Sequence, residues 1–342
     1  MTQTSSQIEN ANTVIFENRQ NNPDVIEDTI LRFDRSVLRL LLKDKTTQKN
    51  IIWATSDYES LGSGYEENSE ILPELITGEH TLLIQPRSSK EKEAQEERTR
   101  VKAEVFTPSW VCNKQNNLVD AQWYGRDAVF NEETPDGWKT VSGKISFPSE
   151  KKNWKKYVDA QRLEITCGEA PYLVSRYDTV TGEIIPINDR IGLYDRKMRI
   201  VSENAADDSE WIEWSIRALQ SVFGYEYQGD NLLLARENML FSYVDYYTNR
   251  FSATPDNALL RKVANIIAWN LWQMDGMRFV VPNTCHEEEE QQIELFEEPQ
   301  KIPCPGCKSG DPYQHNGIYC LIHDWRTKKS VRFIDMMKGA KS

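Results

Sequence analysis

The sequence lacks the features that would place the protein in a membrane or outside the cell. No apolar run approaches the roughly 20 residues needed to span a bilayer, and the polar residues 1–22 have neither the basic start nor the apolar core of a secretory signal. We therefore expect a cytoplasmic protein that has no membrane partner and begins with a mobile tail over residues 1–22.

Basic residues are also scarce. The chain has 41 Lys and Arg against 53 Asp and Glu, for a net charge of −12. Each phosphate contact to nucleic acid requires a cationic side chain, so this balance argues against a surface that wraps DNA, although a local basic patch is compatible with it. It fits a subunit whose partner makes most of the DNA contacts. In a cytoplasmic chain, the 6 cysteines are expected to be thiols or metal ligands, not a disulfide framework.

Residues 103–285 alternate between strand-like and helix-like stretches, and this alternation predicts an α/β domain. The flanking regions are an N-terminal mixed α/β segment (23–102), an acidic linker (286–303), a Cys/His module (304–325) and a basic C-terminal segment (326–342). Periodicity predicts strands at Thr81–Gln85, Leu163–Thr166 and Phe223–Tyr227. It predicts helices at Ile30–Leu42, Lys90–Lys102, Ser209–Val222 with Ser209 as N-cap, Asn231–Tyr247 and Ala258–Trp272.

Two motifs in this region have small or restrained residues where a ligand can approach. In Phe106-Thr107-Pro108, Pro108 holds Thr107 extended, so the turn either presents the Thr hydroxyl or is a plain helix start with Thr as N-cap. The stretch from Glu164 to Leu173 follows a strand and is predicted to open a helix. Its Cys167-Gly168 turn can approach an anionic group, and Glu164 can pair with an ammonium. An ordinary strand-to-helix turn remains the alternative.

Two further motifs place acids after apolar stretches. Glu226 ends a predicted strand, where nucleotide-like sites usually hold a ribose hydroxyl, and Tyr227 beside it can pack on an adenine ring. Asp275 precedes Gly276 and can accept a hydrogen bond from an adenine amino group. An exposed acid at a strand end and a bare Asp-Gly turn are the alternatives.

The order of these four motifs resembles that of permuted adenine-N6 DNA methyltransferases of type II restriction-modification systems, in which Thr-Pro precedes the cofactor motifs. Their first cofactor motif typically reads Glu-Pro-x-Cys-x-x-Gly-x-Phe-Leu, and the resemblance covers about residues 100–280. It implies a Rossmann-like class I methyltransferase sheet, which a partner chain can complete. Here Ile165 and Ala170 replace the family's Pro and Gly, which affects the expected loop shape.

The resemblance also implies roles for individual residues around S-adenosylmethionine. Its methionine end would lie against Phe106, Thr107 and Pro108, its ammonium against Glu164, and the turn beneath it would be formed by Cys167 and Gly168. The ribose would be held by Glu226, and the adenine by Tyr227 and Asp275.

The catalytic motif of this family, Asn-Pro-Pro-Tyr, is missing from the sequence, and Asp311-Pro312-Tyr313 only imitates it. Such enzymes act on an adenine flipped out of double-stranded DNA. The chain ends where the missing strand and motif would begin, so we expect a split enzyme whose second subunit supplies catalysis and target recognition. The alternative is a non-catalytic DNA-binding or assembly subunit of a restriction-modification or defence complex.

A nuclease pattern is also present as Pro135-Asp136 with Glu150-Lys151-Lys152. In a nuclease the second element lies on an apolar strand that holds a magnesium ion, whereas the residues around Glu150 are too polar for such a strand.

The Cys/His module carries the strongest local motif. Cys304-x2-Cys307 and Cys320-x2-His323 are separated by 12 residues, a spacing that predicts a closed, structural zinc site in a zinc-ribbon-like fold. His315 is an alternative fourth ligand, and a reduced thiol pair in a loop is the alternative to any metal site. We interpret Cys285 and His286 as an unrelated surface pair.

Overall fold

The structure is a computed structural model that describes residues 27–89, 107–135, 137–289 and 301–339. The predicted mobile tail, the predicted helix Lys90–Lys102, most of the acidic linker, and the residues Phe106 and Asp136 lie outside these ranges. None of the helices in the described ranges is long and apolar enough to cross a membrane.

Helices make up most of the regular structure. They are α1 (Glu27–Phe33), α2 (Arg35–Leu42), α3 (Pro73–Ile76), α4 (Ser109–Tyr124), α5 (Trp154–Asp159), α6 (Leu193–Asn204), α7 (Asp208–Leu219), α8 (Gly229–Phe251), α9 (Asn257–Asn270), α10 (Pro305–Ser309) and α11 (Phe333–Gly339). Short 3-10 turns lie at Glu59–Leu61, Gly78–His80, Arg87–Ser89 and Ile187–Asp189.

The strands form small sheets. They are β1 (Asn131–Thr134), β2 (Gly137–Thr140), β3 (Arg162–Glu164), β4 (Val222–Glu226), β5 (Leu271–Gln273), β6 (Glu288–Glu289), β7 (Lys301–Ile302), β8 (Leu321–Asp324) and β9 (Lys329–Arg332). In the described ranges they form three antiparallel pairs, β1–β2, β6–β7 and β8–β9, and a three-stranded sheet in the order β3-β4-β5.

The three-stranded sheet is parallel, with Glu164 opposite Gly224 and Gly224 opposite Leu271. Parallel neighbours need long crossovers, and here α6 and α7 connect β3 to β4, while α8 and α9 connect β4 to β5. The carboxyl ends of all three strands therefore meet at one edge of the sheet. The expected α/β architecture is confirmed at this level: a mixed α/β protein with small sheets.

Two apolar clusters hold these elements together. The larger one joins the N-terminal segment to the sheet and its helices, since Leu38 and Trp53 share it with Leu233 and Ile267. The second joins β4 and β5 to residues 285–289 and 301–339, which we call the C-terminal module, through Tyr225, Trp272 and Phe333. The N-terminal segment and the C-terminal module thus pack directly against the elements that carry the strand ends.

Some predicted elements differ from the structure. The stretch Thr81–Gln85 is a turn instead of a strand, because Leu82 adopts a left-handed backbone with φ of 67°. Helix α9 ends at Asn270, and Trp272 lies in β5. The predicted helix Ile30–Leu42 is two helices, because Asp34 accepts a hydrogen bond from the Ser36 amide and caps α2.

Candidate functional site

Glu164 ends β3 as a buried carboxyl group. Its Oε1 accepts a hydrogen bond from the Tyr172 amide (3.3 Å) and its Oε2 accepts one from the Leu173 amide (3.1 Å). Burial raises the pKa of Glu164 well above its usual range despite these two bonds, and the nearby Glu226 raises it further. Burial makes the ionised form of Glu164 unfavourable in the free protein, and a cation placed beside the carboxylate would offset part of this cost.

The chain after Glu164 does not form the predicted helix. Thr166, Gly168 and Ala170 have φ of 45°, 51° and 63°, in the left-handed region, which interrupts any right-handed helix. The next α-helix begins only at Leu193. The expectation that a helix N-terminus faces this site is therefore wrong. The φ of Ala170 also gives a physical reason why glycine suits this position.

Gly168 connects the first strand end to the second. Its amide donates to Glu226 Oε2 (2.9 Å), while Glu226 Oε1 accepts from the amides of Tyr227 (2.9 Å) and Gln228 (3.2 Å). Burial raises the pKa of Glu226, against the effect of these amides. The turn after β3 and the acid that ends β4 are thus in direct contact.

Cys167 lies against the backbone of β4. Its amide donates to the Tyr225 carbonyl (2.8 Å), and a Cβ added to Gly224 would lie 3.2 Å from Cys167 Sγ and 2.9 Å from a Leu271 methyl group. A side chain at position 224 would therefore force Leu271 and Cys167 to shift.

Replacing Gly224 by alanine is expected to displace the Cys167-Gly168 turn, because the new methyl group has no space. We expect a loss of about 1–3 kcal/mol in stability, the usual cost of overpacking, measured by urea denaturation. Ser252→Gly, which removes a left-handed non-glycine residue at the end of α8, is a control that leaves the turn unaffected. A Gly224→Ala variant as stable as the wild type would contradict this packing.

Tyr227 directly follows β4, and Asp275 lies two residues beyond the end of β5. Asp275 Oδ1 accepts from the amides of Met277 (2.9 Å) and Arg278 (3.1 Å), and its Oδ2 accepts from Arg278 Nη1 (3.1 Å). Tyr227 donates its hydroxyl to Asn283 Oδ1 (3.0 Å). The Asp275 side chain thus stabilises a local turn through Oδ1. Its Oδ2 could accept a hydrogen bond from a ligand if the exposed Arg278 side chain moved away.

Thr107 lies just before α4. The N-cap of this helix is Pro108, which makes no side-chain cap bond, and Asp178 Oδ2 accepts from the Ser109 amide instead (2.7 Å). Thr107 is therefore not the cap residue. It connects to Glu164 through Tyr172, whose side chain hydrogen-bonds Thr107 and whose amide donates to Glu164.

We call the residues at these strand ends the strand-end group: Thr107, Glu164, Cys167, Gly168, Glu226, Tyr227 and Asp275. Contacts link its members from Thr107 to Tyr227, whereas within the described ranges the Asp275 side chain bonds only its own local turn and Arg278. A cleft of about 830 Å³ is lined by Pro108, Trp110, Trp138 and Asp178 among others, so the predicted contact Pro108 lines it, but none of the strand-end group does. We give more weight to the strand-end group, because its acids converge from adjacent parallel strands.

A second cluster lies in the C-terminal module. Cys285, Cys304, Cys307 and His315 bring their ligand atoms within 4.8 Å of one another and can hold a metal ion. His315 Nδ1 lies 3.5, 3.6 and 3.7 Å from the three sulfur atoms. A tetrahedral ion with metal–sulfur bonds of about 2.3 Å and a metal–nitrogen bond of about 2.0–2.1 Å gives sulfur–nitrogen distances of about 3.6 Å. The spacing fits such an ion.

The pKa values of two thiols in this cluster are shifted in opposite directions. Burial raises the pKa of Cys304, but hydrogen bonds from the Asn316 and Cys307 amides and from His315 outweigh it and lower the pKa to about 6. Burial and the neighbouring Cys304 and Cys307 raise the pKa of Cys285 to about 12. A divalent cation would allow all three thiols to ionise, because it neutralises the charges that repel.

The ligand set predicted from spacing is therefore wrong in two members. Cys320 is fully buried in the second apolar cluster and its Sγ donates to the Gln273 carbonyl (3.3 Å). His323 packs on the rings of Trp269 and Trp325, with ring centroids 5.3 and 4.5 Å away. Cys320 directly precedes β8 and His323 lies in it, and extended backbone turns side chains three residues apart to opposite faces.

The residues that replace them come from elsewhere in the chain. His315, the predicted alternative ligand, is part of the cluster, whereas the interpretation of Cys285 as an unrelated surface residue is wrong. The sequence contained one signal, Gly306 and Gly317, and the structure places both glycines against the cluster. A Cβ at Gly306 would lie 2.6 Å from His315 Nδ1, and one at Gly317 would lie 3.0 Å from Cys285 Sγ.

Neither the nuclease pattern at Glu150 nor the motif Asp311-Pro312-Tyr313 lies in the structural context that its chemistry requires. Glu150 is exposed in a turn, not on a strand, and Asp311 Oδ1 accepts from the Tyr313 amide in a local turn. The chain thus presents two candidate sites, the strand-end group and the Cys/His cluster. Comparison of the chain with protein-family models, with curated proteins and with solved structures finds no match.

Proposed function

We propose that this chain binds S-adenosylmethionine as the cofactor subunit of a split DNA adenine-N6 methyltransferase. The observation that carries the proposal is the contact between Gly168 and Glu226, which joins the ends of two adjacent parallel strands. Open α/β sheets bind nucleotide-like ligands outside the carboxyl ends of their strands, with an acid after the second strand on the ribose. The order β3-β4-β5 is consistent with part of a Rossmann-like sheet.

In this proposal each member of the strand-end group has a role, and Cys167 and Gly168 form the turn beneath the cofactor. Glu164 pairs with the ammonium group, and Thr107 and Pro108 lie at the methionine end. Glu226 accepts hydrogen bonds from the ribose hydroxyls, Tyr227 packs on adenine, and Asp275 accepts from its amino group. The bound cofactor supplies an activated methyl group for the amino nitrogen of a flipped adenine in double-stranded DNA. An Asn-Pro-Pro-Tyr-type motif that holds this adenine comes from a second subunit.

The proposal is tested by equilibrium dialysis with labelled S-adenosylmethionine. Glu226→Ala is expected to weaken binding roughly 10- to 100-fold, because two hydrogen bonds to a charged acceptor are lost. Glu132→Ala, at an exposed acid of β1, is the matched control and should bind as the wild type does. Equal affinity in both variants would refute the ribose role. A non-catalytic assembly subunit would not bind the cofactor at all.

Binding should also depend on pH through Glu164. Its pKa is raised by burial in the free protein, and an ammonium beside it would lower the pKa again. Between these two values binding must release a proton, so affinity falls as the pH falls through the free-state pKa. The free energy of unfolding of the free protein has the opposite pH dependence. The contribution of Glu164 is fully present below the usual Glu pKa and is lost as the pH rises through the raised pKa of the folded state.

Calorimetry in two buffers of different ionisation enthalpy measures this proton release. We expect the release in the wild type and its absence in Glu164→Gln, which retains the shape of the side chain but does not ionise. Proton release of the same size in Glu164→Gln would assign the titration to another group.

We also propose that the Cys/His cluster binds zinc in a structural role. Three thiolates and one imidazole make a common closed zinc site, with no open position for substrate. Elemental analysis of purified protein should find about one zinc per chain, lost in Cys285→Ser and retained in Cys320→Ser and His323→Gln. A folded but metal-free wild type would refute the site, and loss of zinc only in the latter two variants would restore the ligand set read from spacing.

A further inference from the structure

The segment from Asp275 to Cys285 connects the two candidate sites. It begins at the acid that we propose for the adenine amino group and ends at a ligand of the metal cluster. Near Asp275 it turns tightly, because the Asp275 amide donates to the Val280 carbonyl (2.8 Å) and the Phe279 amide donates to the Asp275 carbonyl (2.7 Å). We call residues 275–285 the connecting segment.

The connecting segment pairs with the stretch that follows His315. The Val281 amide donates to the Ile318 carbonyl (2.8 Å), and the Cys320 amide donates to the Phe279 carbonyl (3.1 Å). At the end nearer the metal cluster, the Ile318 amide donates to Thr284 Oγ1 (3.0 Å). Each of the two paired stretches is thus adjacent to a metal ligand, Cys285 on one and His315 on the other.

The connecting segment also reaches Tyr227. The Tyr227 hydroxyl donates to Asn283 Oδ1 (3.0 Å), and Asn283 Nδ2 donates to Glu67 Oε1 (3.2 Å). Asn283 has a left-handed backbone with φ of 60°, which defines the local path of the chain just before Cys285. Cys285 thus lies two residues after Asn283, the partner of Tyr227, in the segment that begins at Asp275. Within the described ranges, Glu164 accepts only from the chain after β3, whereas Glu226 accepts from Gly168 and from the amides of Tyr227 and Gln228.

We infer that the metal centre is a clamp that positions the adenine side of the cofactor site. An ion bound by Cys285, Cys304, Cys307 and His315 cross-links the connecting segment to residues 304–320, and this cross-link restricts the motion of Tyr227 and Asp275. The four ligands are positioning residues that do not touch the cofactor. The role toward adenine rests on the proposed function, whereas the clamp itself does not.

The experiment compares the full chain with its metal, the same protein after treatment with a chelator, and Cys285→Ser. Hydrogen exchange is followed at the amides of Phe279, Val281 and Cys320, with the Leu173 amide as an internal reference. Loss of the ion is expected to accelerate exchange at the first three amides roughly 10-fold or more, because local opening becomes easier, and to leave the reference unchanged. Re-addition of zinc should restore slow exchange in the wild type but not in Cys285→Ser.

The same samples are titrated with S-adenosylmethionine. We expect roughly 10-fold weaker binding without the ion, and binding as in the metal-loaded wild type for Cys320→Ser, whose hydroxyl can still donate to the Gln273 carbonyl. Unchanged exchange at the three amides would overturn the clamp. Faster exchange with unchanged affinity would overturn its role toward adenine. Faster exchange in a protein that never binds S-adenosylmethionine would leave the clamp standing and refute the proposed function.

Discussion

Replacing Asp120 by alanine is expected to destabilise the protein by about 3–5 kcal/mol, because it leaves a buried guanidinium without its counter-ion. Asp120 and Arg196 are both 1% exposed and pair at 2.6 Å. The Tyr157 hydroxyl donates to the same carboxylate (2.9 Å), and Arg196 also donates to Asn113 and Asn117. This network joins α4, which starts beside Thr107, to α6.

Urea denaturation measures the effect. Asp208 provides a matched control, because it forms an ion pair with Arg250 but its side chain is 67% exposed. Asp208→Ala is expected to change the free energy of unfolding by less than about 1 kcal/mol. Similar losses in the two variants would show that the Asp120–Arg196 pair is not the buried link that the structure indicates.

Replacing Arg236 by methionine is expected to cost more than about 4 kcal/mol, because several buried carbonyl groups lose their donor together. Its guanidinium is 0% exposed. It donates to the carbonyls of Leu271 (2.7 and 2.9 Å) and Ala268 (3.3 Å), and to those of Leu41 and Lys43 at the end of α2. Burial lowers the pKa of Arg236 to about 10, so the side chain is still charged at neutral pH.

The Arg236→Met variant should lose the attachment of the N-terminal segment to β5. Arg39→Met, on the exposed side of α2, is the control and should unfold as the wild type does. If Arg236→Met is too unstable to purify, Arg236→Lys provides the measurement, since one ammonium can satisfy only part of these carbonyls. A Lys variant as stable as the wild type would contradict the proposed link.

The sequence allowed the strand ends to be located because apolar runs and small residues mark them. The predicted strand Phe223–Tyr227 lies within one residue of β4, and Glu164 and Glu226 both end strands of one parallel sheet. Helix α8 was also predicted, though shorter than it is. Such features depend on local patterning, which a single sequence displays.

The errors arose where the chain's path depends on distant contacts. The turn after Glu164 contains a threonine and an alanine with left-handed φ, and no local pattern indicates this backbone. The metal ligands were misassigned because Cys320-x2-His323 has the spacing of a zinc knuckle, but Cys320 directly precedes β8 and His323 lies in it. Cys285 joins the cluster because its segment pairs with residues 316–320, which are distant in sequence.

Titration calorimetry with S-adenosylmethionine tests the central claim most directly. The titration is carried out on the metal-loaded chain alone and after mixing with the product of the neighbouring reading frame. Our account predicts one binding site per chain, present alone or strengthened by the partner, and lost in Glu226→Ala. Absence of binding under both conditions would contradict the assignment of the cofactor to this chain.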